Sequence, residues 1–257
     1  MPNKALSTGA ADDQHLDCRG LASTLKNTLG LRQPPVALSF VAERPSDIEE
    51  FTEGVPSACA LWRRAETGVF FAPAEAHFNC PIGALTMGFG LTDELKSTLM
   101  NLVGQIGTMG YIDPGEAANI PSVPGEKSGI VYGPLESFPT TPDVVLLWVS
   151  GNAAMLLAEA TESGNWKSDH HGTATFGRPS CAAIPVAVLN QTPTFSLGCM
   201  GMRTFTAVEP ELQLAVLPKA TLFSLQHRLG KIAAVNVEMA AYYAAQNARF
   251  GHKGSAV

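Results

Sequence analysis

Pro142-Asp143-Val144-Val145-Leu146-Leu147-Trp148-Val149 is the clearest strand in the chain, an apolar run from Val144 opened by Pro142-Asp143. Behind it, Asn152–Glu162 is rich in Ala and Leu and reads as an Asn-capped helix. Upstream, Pro34-Pro35-Val36-Ala37-Leu38-Ser39-Phe40 has the same pattern as Thr141–Leu147 and is short and apolar enough for a buried strand. Further strands are predicted at Val69–Ala72, Gly129–Tyr132 and Leu212–Leu217, the last closed by Pro218. Helices are predicted over Gly20–Leu31, where Leu21, Leu25 and Leu29 recur at i, i+4 and i+8 before a stop at Gly30, and over Ser57–Ala65, Leu91–Met109 and Thr221–Ala248. A helix start is also predicted at Ser46, running toward Phe51. Ala182–Leu189 is apolar and of either type, while Asp113–Gly129 and Gly164–Pro179 read as loops. Strands mixed with helices predict an α/β or α+β domain built on a mixed sheet with flanking helices.

At 257 residues, 46% apolar and 16% charged, the chain has ample material for a core. It is expected to form a single domain over 18–257 behind a disordered tail at 1–17. The formal charge of −6 opposes a nucleic-acid or anionic-membrane partner, since both need concentrated positive surface, and Arg63-Arg64 is the only adjacent basic pair. No apolar run approaches the roughly 18 residues of a membrane span, and the polar N-terminus is unlike a signal peptide. Cytoplasmic residence is the expectation. Five cysteines in a chain of this length do not resemble a secreted disulfide scaffold, and Cys18 stands alone near the N-terminus.

The other four cysteines form two similarly dressed pairs, Cys59 with Cys80 and Cys181 with Cys199. Each second cysteine lies in a glycine-containing turn, Phe78-Asn79-Cys80-Pro81-Ile82-Gly83 and Ser196-Leu197-Gly198-Cys199-Met200-Gly201. Soft thiolates hold zinc or iron–sulfur clusters, and nearby glycines let backbone N–H groups approach the sulfurs. Tight Cys-x-x-Cys knuckles, usual for zinc, are missing, so a [4Fe–4S] cluster is favoured over zinc; packing as small hydrophobes is the bland alternative. The two halves, 18–128 and 129–257, each run strand motif, helix, cysteine, Phe-bearing segment, cysteine. Either they are a distant duplication, with a pseudo-twofold axis that gathers the cysteine turns, or the match is chance, since Pro35 to Cys59 spans 24 residues and Asp143 to Cys181 spans 38.

The stretches PPVALSF, CALWRRAETG, HFNCPIGALTMGF, GYI, IVYGPLESFPTTPDVVLLWVS, GRPSCAAIPVA and SLGCMGMR, in this order from about Gly20 to Leu225, resemble the uncharacterised family numbered 169 among domains of unknown function. The resemblance implies cysteines as site residues at positions 59, 80, 181 and 199. Some members carry a further one where Met202 stands here. It supplies no reaction or substrate.

Around the cysteines, His77 is read as an additional ligand, a proton donor or a hydrogen-bonded turn residue, and Glu75 as an acid or base or as surface charge. Arg203 and Arg63 are candidates to grip a substrate carboxylate, or else to fix loops. His170-His171, Asn79 and Tyr111 are weaker candidates. Phosphate-loop and nucleophile-elbow motifs are missing, and so is the haem attachment motif, although a histidine-held haem is kept as an alternative. The expected function is an iron–sulfur-dependent enzyme acting on a small molecule, with lyase or hydratase chemistry favoured. Electron transfer or a zinc-binding accessory module are the alternatives, and Tyr242-Tyr243 on the C-terminal helix suggest a homo-oligomer or plain core packing.

Overall fold

The computed structural model describes residues 16–111, 113, 115, 118–161, 173–175 and 179–250, the backbone alone for 173–175. Its strands are β1 (Val36–Val41), β2 (Phe70–Pro73), β3 (Gly129–Pro134), β4 (Val144–Val149), β5 (Thr173–Thr175), β6 (Thr194–Ser196) and β7 (Gln213–Pro218). They form one sheet in the order β2-β3-β1-β4-β7-β6-β5, antiparallel except for the parallel β5–β6 pair. The α-helices are α1 (Cys18–Leu29), α2 (Ala60–Arg64), α3 (Pro81–Thr86), α4 (Asp93–Thr108), α5 (Gly151–Ala160), α6 (Ala183–Asn190), α7 (Met200–Thr206) and α8 (Lys219–Arg249). This is the mixed sheet with flanking helices that the apolar runs predicted.

Why the central strands lack an alternating pattern is plain from their position. Every residue of β4 is buried, because the strand is covered on both faces. Its side chains divide with period two: Val144, Leu146 and Trp148 join one core, Val145, Leu147 and Val149 the other. The second core is closed by α1, α5 and α8 through Leu21, Leu25, Leu157, Leu222 and Leu225, each such burial contributing roughly 1.5–3 kcal/mol. On the first face lie the short helices and turns that carry Cys59, Cys181, Trp62 and Met202. At the β1–β4 join, the Asp143 carboxylate accepts the Phe40 N–H at 2.8 Å, taking over where the ladder ends at Leu38–Val144.

Outward from the β1–β4 pair, the order is β1, β3, β2 on one side and β4, β7, β6 on the other. On both sides the chain makes the inner strand first, then the outermost of these three, then the middle one.

Four expectations are corrected. Leu16 is 1% exposed and Asp17 caps α1 by accepting the Gly20 N–H, so the folded part begins before residue 18; residues 1–15 lie outside the described residues. Ser46 starts no helix: 46–51 is a turn whose Glu50 bridges Phe71, because Phe51 and Ile48 are drawn into the two cores. The cap of α5 is Ser150, whose hydroxyl accepts the Ala153 N–H at 3.3 Å, so Asn152 lies inside the helix. The 164–179 stretch lies largely outside the described residues, but Thr173–Thr175 is a strand and not loop. Gly30, at φ 63°, ends α1 as predicted.

Candidate metal centre

All four paired cysteines stand where a short helix or 3-10 turn begins on one face of the sheet. Cys59 precedes α2, Cys80 precedes α3 with Pro81 at the first helical position, and Cys199 precedes α7. Cys181 lies in the 3-10 turn Ser180–Ala182 that leads into α6. Their places in the connectivity correspond: Cys59 and Cys181 fall between inner and outermost strand, Cys80 and Cys199 between outermost and middle strand.

Cys59 and Cys181 are buried, Cys80 and Cys199 half-buried, and none is in a disulfide. Burial pushes the Cys59 thiol up to about 11, against a lowering contribution from the Ser57 hydroxyl 3.3 Å away, and the charges of Cys80 and Cys199 raise it further. Cys181 is pushed up chiefly by burial; a Thr86 hydrogen bond opposes this, and Cys80, Cys199 and Cys59 add to it. Cys59 is thus within electrostatic reach of Cys80 and Cys199, and Cys181 of all three, and burial keeps Cys59 and Cys181 as protonated thiols.

Two glycines hold the turns tight. A Cβ on Gly83 would stand 2.7 Å from the Ala58 Cβ and 3.1 Å from the Cys80 sulfur. Gly198, at φ +94°, turns the chain into Cys199 and leaves no room for a Cβ beside Met202 and Arg203. Arg203 closes that turn: its guanidinium donates to the carbonyls of Leu197 (2.6 Å), Leu212 (3.2 Å) and Pro210 (3.3 Å).

The proposed acids, bases and substrate grips are placed as follows. His77 is fully buried; its Nδ1 lies 3.0 Å from the Pro73 carbonyl and its Nε2 2.9 Å from the Tyr132 hydroxyl. A carbonyl can only accept, so Nδ1 carries the proton and Nε2 accepts from Tyr132. Burial holds the imidazole neutral, lowering its pKa to about 4. Neither ring nitrogen is left to ligate an iron or a haem. Tyr132 in turn is pushed up by burial and by the neighbouring Cys181 and Cys59. Arg63 pairs with Glu66 at 2.7 Å, and Glu75 is exposed on a hollow shared with Asn79 and Thr52. Asn79 donates to the Val55 carbonyl at 2.8 Å. His170-His171 lies outside the described residues. Thus Arg63, His77 and Arg203 are engaged in other duties, and Glu75 is exposed.

Sequence reasoning missed Thr86 and Tyr132, whose partners are set by the fold. Ser57 and Ser180 did carry a signal, a serine within two residues before each first cysteine. Two buried donors close in sequence to the cysteines, Trp62 Nε1 and Ser180 Oγ, have no hydrogen-bond partner among the described residues. Beside Cys199 opens an apolar cleft of about 180 Å³, walled by Leu99, Val103 and Ile106 of α4, Ile82 of α3 and Met200.

Among the described residues no three of His, Cys, Asp and Glu are arranged to hold a single metal ion. One zinc would need its sulfurs roughly 3.8 Å apart, the consequence of tetrahedral Zn–S bonds of about 2.3 Å. A cluster spreads its thiolates wider, and its sulfides accept hydrogen bonds of the kind Trp62 and Ser180 have to give. Four cysteine thiols are the donor set that a [4Fe–4S] cluster takes.

A family model described as DUF169, uncharacterised ArCR, matches residues 24–224. The uncharacterized protein MJ0308 of Methanocaldococcus jannaschii is 24% identical over 224 residues, covering 80% of this chain and 91% of that protein. No solved structure matches.

Proposed function

This chain belongs to the DUF169 family, and we propose that it is an iron–sulfur protein whose Cys59, Cys80, Cys181 and Cys199 together hold a [4Fe–4S] cluster for electron transfer in the cytoplasm. What supports the reading is the pairing of places: four cysteines, two from each side of the β1–β4 join, at corresponding points of the connectivity, with Cys59 and Cys181 each feeling the charges of Cys80 and Cys199. When bound, such a cluster supplies one-electron chemistry at a potential tuned by burial and by hydrogen bonds to sulfur. The protein's part is to bury the centre beneath α2, α3, α6 and α7, to fix each thiol with a tight turn, and to offer the Trp62 and Ser180 donors. With four cysteine ligands no position is left open, and no side chain proposed as acid or base faces the centre. That favours electron transfer over elimination.

A second reading, lyase or hydratase chemistry on a small molecule, is favoured by one observation, the cleft with Cys199 on its wall. There Cys199 would yield its place to substrate. One experiment separates them. The chain and its four single Cys→Ala variants are purified without oxygen and assayed for iron, labile sulfide and visible absorption. Electron transfer by a closed centre predicts that every variant loses the cluster. Retention by Cys199→Ala alone points to the second reading. A colourless, iron-free wild-type chain after reconstitution sinks both.

A further inference from the structure

α8 outruns the body from which it starts. Leu222, Leu225 and Leu229 are fully buried against the core shared with α1 and α5, and Asn236 still reaches the body, donating to Glu159 of α5. From Val237 to Arg249 every residue except Gln246 is exposed, so the helix runs on for ~20 Å through solvent at 1.5 Å per residue. A helical extension of this length gains little from propensity alone and needs a packing partner.

The side chains say what kind. The alternating three- and four-residue spacing of Leu222, Leu225, Leu229 and Ile232 continues through Asn236, Met239 and Tyr243. Val235, Met239, Tyr242 and Tyr243 share that side of the helix and are 52, 43, 57 and 56% exposed. Between Ile232 and Arg249 the only charged residues are Glu238 and Arg249 itself. Eleven residues apart, they are three turns apart and lie on the same flank of the apolar face. A neutral strip with one acid and one base on one flank is complementary to itself.

We propose that a second copy of this chain covers this face, the two α8 extensions packing antiparallel about a twofold axis near Tyr243 and Ala244. Such an axis sets a flank of one helix against the same flank of its mate, so Glu238 of each copy meets Arg249 of the other. Val235 through Arg249 on both helices bury on the order of 1,000 Å², at the lower end of what a specific interface needs. Because each body ends near Asn236, the two bodies stand at opposite ends of the paired helices.

Sedimentation equilibrium of the full chain across a range of concentrations tests this. The wild-type chain should show a monomer–dimer equilibrium, and Tyr243→Glu, with unchanged circular dichroism, should be monomeric. Glu238→Arg and Arg249→Glu should each weaken the dimer about tenfold, through two lost exposed ion pairs and the repulsion that replaces them, and the double variant should regain wild-type affinity. A wild-type chain monomeric at every concentration overturns the proposal. So does a dimer that Tyr243→Glu leaves intact, or a double variant no tighter than either single one.

Discussion

His77 shows how far a side chain's neighbours decide its role. Three residues before Cys80 in sequence, it looked placed for proton transfer, yet its hydroxyl partner Tyr132 comes from β3, 55 residues on. No local pattern announces that contact, whereas the four cysteines draw attention in the sequence through their two similarly dressed turns. The buried imidazole has a measurable consequence. Its pKa is lowered from 6.5 to about 4, so the neutral form stabilises the fold above pH 6.5, and that contribution is lost as pH falls from 6.5 toward 4. The whole effect is on the order of 3 kcal/mol. Denaturant midpoints taken through that window should fall for the wild-type chain and fall distinctly less for His77→Gln, whose amide does not titrate. Parallel pH profiles for the two proteins would show that His77 is not buried as described.

Among the elements, the long apolar ones were readable and the short ones were not. β1, β4 and α8 carry runs that only burial explains, and their limits came out within a few residues. α3 and α7 have six and seven residues, too few for a helical period to show, and they exist because a cysteine turn and the sheet below hold them. Arg203 makes the point for α7, where the sequence left open whether it grips substrate or a loop. Its three carbonyl bonds tie the Cys199 turn to the segment before β7. Arg203→Lys keeps the charge but cannot span three acceptors, and should cost about 1–3 kcal/mol of stability. It should also speed alkylation of Cys199 in the iron-free protein. If that rate and the unfolding midpoint stay at wild-type values, Arg203 is free for another task.

At the scale of the molecule, the two sides of the β1–β4 join contribute two cysteines each to one face, so anything bound by all four ties the sides together. A ligand that binds only the folded state stabilises it in proportion to its affinity, and a thiolate-bound centre couples that gain to folding. In the proposed centre, burial and the charges of the neighbouring cysteines oppose ionisation of Cys59 and Cys181, and a positively charged inorganic core would remove that penalty. Loading iron and sulfide under anaerobic conditions should therefore raise the thermal midpoint of the wild-type chain by several degrees, with both sides unfolding in one transition. Cys59→Ala and Cys181→Ala, one from each side, should lose the gain equally, because each breaks the same shared centre. A gain that survives in one of them would assign the bound group to a single side, and the joint site would be wrong even though the sheet stands.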